Sequence, residues 1–239
     1  MNTSIAYRYV LEHLTSNGFP VQSIQISTNK GDCTLSFDGE LTQDGLRCIC
    51  DRWRKVEPNR AAIIEGLLSN FKVELMFDDE GTMRVNHTLL GDLDSRAKDC
   101  IERFIFAITF FAEQARECLL LKIVQIKCSL GSMKNSLDQF EREFKTARFL
   151  IRVSECYETE FNVDEWDREV FLNLVDSLLK HETRVYALKV ALFNRDDNRE
   201  IAHSTLKGCI NSTRNYDLTH SGFMLKVFKK VRESAVLSA

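Results

Sequence analysis

Residues 70–90 alternate in character strictly enough to specify a β-hairpin. Phe71, Val73, Leu75 and Phe77 fall on one face of an extended strand, and Met83 and Val85 continue the pattern after Asp78-Asp79-Glu80-Gly81. Acidic residues favour a type I turn and Gly81 supplies the left-handed closing position, so the turn fixes the strand register locally.

The text before the hairpin reads as helix, strands, helix. Ile5, Tyr9, Val10, Leu14 and Phe19 recur at helical spacing behind Asn2 or Thr3 as cap, with Gly18 as the stop. After Pro20, Val21, Ile24 and Ile26 precede Asn29-Lys30-Gly31, and Cys33, Leu35 and Phe37 alternate beyond it, which predicts a second hairpin. Leu46, Cys48 and Cys50 alternate with Arg47, Ile49 and Asp51, which predicts a third strand, although Leu46, Ile49 and Trp53 also fit a helix. Pro58 then opens a helix striped by Ala61, Ile64, Leu67 and Leu68.

Beyond the 70–90 hairpin, a segment capped by Asp92 or Asp94 runs to Cys128 without Pro or Gly, and a break is expected near Cys118. The first half is therefore α+β, an antiparallel sheet of about five strands with helices in the order α-β-β-β-α-β-β-α. An α-helical C-terminal extension is expected to follow. Met133, Leu137, Phe140, Phe144, Ala147 and Ile151 step by four and three, and Trp166, Val170, Phe171, Leu174, Leu178 and Leu179 form a further stripe. Apolar residues resume at 185–193, Arg195-Asp196-Asp197-Asn198 is a polar loop, and 201–237 reads as one or two more helices. The expected division is 1–128 as the α+β domain and 132–239 as a helical domain or extension, and no internal repeat is visible.

Composition narrows the function. The chain has 239 residues, 44% of them hydrophobic, and 32 basic residues against 35 acidic ones give a net charge of −3, too balanced to announce a polyanionic partner. Two prolines and ten glycines favour helix over a many-turned β architecture. Residues 1–19 lack the basic start and uniform apolar stretch of a secretory signal, and 104–124 carries Glu113, Gln114, Arg116, Glu117 and Lys122, too polar to cross a bilayer. Eight cysteines with no CxxC pair read as reduced thiols, so a cytoplasmic protein with no membrane association is expected.

The element order, together with Leu67-Leu68-Ser69-Asn70 leading into Phe71-Lys72-Val73-Glu74-Leu75 and Met83-Arg84-Val85 leading to Leu89-Leu90, resembles the fold shared by type III secretion chaperones and YbjN-like proteins, over roughly residues 3–118. The resemblance implies a binding scaffold: secretion chaperones of this fold dimerise and hold an extended segment of another protein against apolar surface. A homodimer and a protein partner are its expectations here. Ile24, Ile26, Leu35 and Phe37 are the candidate docking residues, with ordinary core packing as the competing explanation.

Reactive chemistry finds little support. Cys48 and Cys50 on a strand would share a face, yet no second ligand pair accompanies them, and five scattered histidines form neither HxH nor HExxH. Carboxylates at 78–80 and at 164, 165, 167 and 169 suit turn and helix-start positions, and the glycines form no phosphate loop. Catalytic, metal and cofactor residues are therefore expected to be none, and the chain is read as a non-enzymatic protein-binding module, chaperone-like or adaptor. The alternative is nucleic-acid binding through Arg47, Arg52, Trp53, Arg54, Lys55 and Arg60, where basic groups surround an aromatic ring that could stack on a base.

Overall fold

The computed structural model describes residues 4–29, 32–77, 82–89, 93–130, 141–156 and 163–212, with 229, 232 and 233. The chain divides into two compact units, 6–124 and 125–239 with 1–5. The expected turns at 30–31 and 78–81, the start of the stripe at 133–140, the separating segment 215–222 and nearly all of the helix expected over 223–237 lie outside the described residues.

The first unit contains α1 (Ile5–Ser16), β1 (Ser23–Asn29), β2 (Asp32–Glu40), α2 (Gln43–Arg54), α3 (Pro58–Leu67), a 3₁₀ turn at Leu68–Asn70, β3 (Phe71–Phe77) and β4 (Met83–Leu89). The sheet is antiparallel in the order β1-β2-β3-β4. The expected 70–90 pairing is present, with Phe71 opposite Leu89 and Phe77 opposite Met83. Phe71, Val73 and Leu75 are buried while Lys72, Glu74 and Met76 are exposed, so the sheet has one covered face and one wet face.

The third strand expected at 46–50 is instead helix α2, so the first unit has four strands where five were expected. Leu46, Ile49, Cys50 and Trp53 form one buried stripe at helical spacing, and the Thr42 hydroxyl caps the helix by accepting from the Gly45 N–H at 3.0 Å. A helical stripe plus a satisfied cap outweighs three alternating residues. The order is thus α-β-β-α-α-β-β-α, which departs from the resemblance at this point.

β2 turns away from β3 early. Pairing is limited to Gly39 opposite Leu75 and Glu40 opposite Glu74, and Gly39 has φ +139° at the bend. Side chains replace the missing ladder: the Asp38 carboxylate accepts from the Phe77 N–H at 2.9 Å, and Arg116 Nε donates to the Leu35 carbonyl at 2.9 Å with its guanidinium 5.0 Å from the Phe77 ring. Arg116 belongs to α4 (Ser95–Ser129), which starts where the Asp94 carboxylate accepts from the Ala97 N–H at 2.7 Å. The break expected near Cys118 is absent.

The second unit corrects the expected helical extension. After residue 140 the chain forms β5 (Glu141–Lys145), β6 (Phe149–Cys156), α5 (Arg168–Leu179), β7 (Thr183–Asn194) and β8 (Glu200–Ser212), an antiparallel sheet in the order β5-β6-β7-β8. Phe144 sits opposite Ile151, so a spacing of seven that suggested two helical turns is met across a hairpin. Val185 to Leu188 and Val190 to Leu192 are all buried, making β7 an interior strand apolar on both faces; such a run carries no period of two to separate it from helix. α5 is helical as expected and buries Phe171, Leu174, Val175 and Leu178 behind an Asp167 cap.

Candidate protein-docking surfaces

The four residues proposed for peptide capture share one face of the β1–β2 hairpin, Ile24 opposite Phe37 and Ile26 opposite Leu35. Leu35 and Phe37 are 1% and 0% exposed, and Phe37 meets Phe19 and Phe77 with ring centroids 5.8 and 5.6 Å apart. Both belong to the core, which corrects the expectation that they face a partner. Ile24 and Ile26 are half-buried because β1 is an edge strand. From Ser23 to Asn29 that edge bears no charged residue, whereas β4, β5 and β8 each carry at least one. Charge is the common protection against added strands, and β1 lacks it.

The nucleic-acid candidates gather on α2, α3 and the turn between them, and all but Lys55 are already engaged or turned inward. Trp53 is 5% exposed with its ring 5.3 Å from Phe104, so it offers no surface to a base. Arg47 pairs with Asp44 at 3.4 Å, Arg54 with Asp51 at 3.1 Å and Glu65 at 2.8 Å, and Arg60 with Glu57 at 2.8 Å and Asp99 at 3.6 Å. Arg52 donates to Asn17 Oδ1 at 3.3 Å and lies 4.5 Å from the Phe111 ring centroid. Lys55 is exposed at the end of α2. A phosphate would compete with a carboxylate at three of these arginines.

Reactive groups do not converge. On helix α2, Cys48 and Cys50 point about 200° apart at 100° per residue: the Cys48 thiol approaches the Ser16 carbonyl at 4.0 Å, and the Cys50 thiol approaches the Ala61 carbonyl at 3.6 Å. Burial pushes the Cys50 thiol up, away from thiolate character. Burial also holds His13 below its ordinary range, with Arg52 adding to the effect, and raises Tyr9, with Cys118 adding to it. Among the described residues no group of three His, Cys, Asp or Glu side chains could hold a metal ion. Among them, too, no helix is long and apolar enough to cross a membrane.

A different surface stands out, within the apolar-rich segment 104–126 that the sequence marks as more than one small domain can cover, but on residues not named there as a site. Trp53, Val56, Phe106, Ala107, Phe110 and Phe111 line an open groove of about 570 Å³ between α4 and the turn joining α2 to α3. Phe106 is 74% exposed, Phe110 52% and Val56 71%. The same helix buries Phe104 and Ile108 completely, so α4 carries aromatic residues on its inner and outer faces at once. The signal was present in the density of Phe at 104, 106, 110 and 111, too many for one buried stripe. Comparison of the chain with protein-family models, with curated proteins and with solved structures finds no match.

Proposed function

We propose that this chain is a non-enzymatic protein-binding module, used as a chaperone-like or adaptor component, that holds a segment of a partner protein. The observation that carries the reading is the exposed pair Phe106 and Phe110 facing Val56 across a groove floored by Trp53. Single exposed apolar residues are ordinary on protein surfaces, but a contiguous aromatic patch beside a concavity is the form that protein contacts take. Burying two such rings is worth on the order of 2 kcal/mol each.

The test compares partners retained by the tagged full chain with those retained by the Phe106→Ala/Phe110→Ala variant, quantified by mass spectrometry. Both side chains are largely in solvent, so the variant keeps its fold. The reading expects a defined protein set to be lost with the two rings; an unchanged set contradicts it. A second reading, capture of an extended strand on β1, is favoured by that edge's lack of charge and by half-buried Ile24 and Ile26. It expects Gln25→Lys/Ser27→Lys, on the solvent side of the strand, to abolish retention while the phenylalanine variant leaves it intact.

A further inference from the structure

The groove continues along α4 as a stripe whose charge is one-sided. Taking 100° per residue, Glu102, Phe106, Phe110, Glu113, Glu117 and Leu121 fall within about 100° of the helix circumference over roughly 28 Å. All six are exposed. Among the described residues none of Glu102, Glu113 and Glu117 has an ion-pair partner. Arg103, at the groove's rim, is held by Asp99 at 3.2 Å, and Arg116 turns away to the Leu35 carbonyl. Aromatic rings bracketed by uncompensated carboxylates are thus concentrated on one helix face of a molecule whose total charge is only −3.

We infer that this face of α4 docks a basic amphipathic segment of another protein, with apolar side chains seated between Phe106, Phe110 and Val56 and Lys or Arg side chains set against Glu102, Glu113 and Glu117. The inference rests on the protein-binding reading above and specifies the partner's chemistry. A helix presenting apolar residues at i, i+3/i+4 and i+7 matches the stripe, and cations beside the phenylalanine faces gain from ring as well as carboxylate. A second copy fits poorly. An antiparallel two-fold that stacks Phe106 on Phe110 puts Asp99 opposite Glu117 and Glu102 near Glu113, and the one cation it sets against a carboxylate, Arg103 opposite Glu113, is already held by Asp99.

The test uses the full chain and two fluorescent synthetic peptides sharing one leucine face, one with lysine on its polar face and the other with glutamate, read by fluorescence anisotropy. The lysine peptide is expected to bind at least about tenfold more tightly than the glutamate peptide, less so as salt rises. Phe106→Ala/Phe110→Ala should weaken it by about tenfold or more, and Glu102→Lys/Glu113→Lys/Glu117→Lys should reverse the preference. Equal binding of both peptides, or binding indifferent to the phenylalanine pair, overturns the inference. So does a mass by light scattering that doubles and falls to one chain in the phenylalanine variant, which would assign the face to a second copy. If partners depend on Phe106 and Phe110 while the lysine peptide does not bind, the protein-binding reading stands and the basic partner alone falls.

Discussion

Gly18 and Gly45 have no side chains because their backbones touch. A Cβ on Gly45 would come 2.3 Å from the Gly18 carbonyl oxygen, and one on Gly18 would come 2.7 Å from the Gly45 carbonyl oxygen, with Gly18 also at φ +79°. The contact docks the end of α1 on the first turn of α2. Gly45→Ala is expected to destabilise the fold by about 1–3 kcal/mol, read as a lower denaturation midpoint. His13 supplies a pH dependence. Its folded pKa lies below the ordinary 6.5 through burial and then Arg52, so the unfolded chain binds the proton first as pH falls. Stability from this group is present above 6.5 and is lost as pH drops towards the folded value. His13→Gln should flatten the denaturation midpoint between pH 7 and that value; an unchanged slope contradicts the assignment. The glycine stop at Gly18 was legible in the sequence, but its pairing with Gly45 was not, because nothing local links residues 27 apart.

At the scale of elements, α4 is the organising piece of the first unit. Its Arg116 takes over a β2 carbonyl that β3 leaves unpaired, so Arg116→Ala exposes the Leu35 oxygen to no partner and removes a cation from the Phe77 ring. A loss of about 1–3 kcal/mol is expected, with Arg116→Lys intermediate since it keeps charge without the fixed guanidinium fork; equal stability of all three would show that β2 does not need the wedge. Elements with strong local chemistry were readable: the 70–90 hairpin from alternation, α4 from a run without Pro or Gly although the break expected near Cys118 is not there, α5 from its stripe. Misreadings came where two periods coexist. Residues 46–53 satisfy alternation and helical spacing together, and the Thr42 cap decides between them. The β7 run is apolar on both faces and so carries no period at all. Leu35 and Phe37 were offered to a partner for a related reason, since alternation in 33–37 shows that one face is apolar but not whether a partner or the protein's own helices cover it.

At the scale of the molecule, both units order four antiparallel strands as they occur in the chain and place helix between the second and third, α2 and α3 in one, α5 in the other. This shared arrangement left no trace as a sequence repeat, because it resides in the order of elements and not in matched residues. What distinguishes the first unit is the aromatic, acid-flanked face of α4, and the functional account stands on that face contacting another protein. The direct measurement is a photo-crosslinking phenylalanine analogue placed at Phe106 in the full chain, with the same analogue at Met76, an exposed residue on the sheet, as control. The account predicts adducts with a basic protein from position 106 and not from 76. Adducts joining two copies of this chain, or the same adducts from both positions, would contradict it.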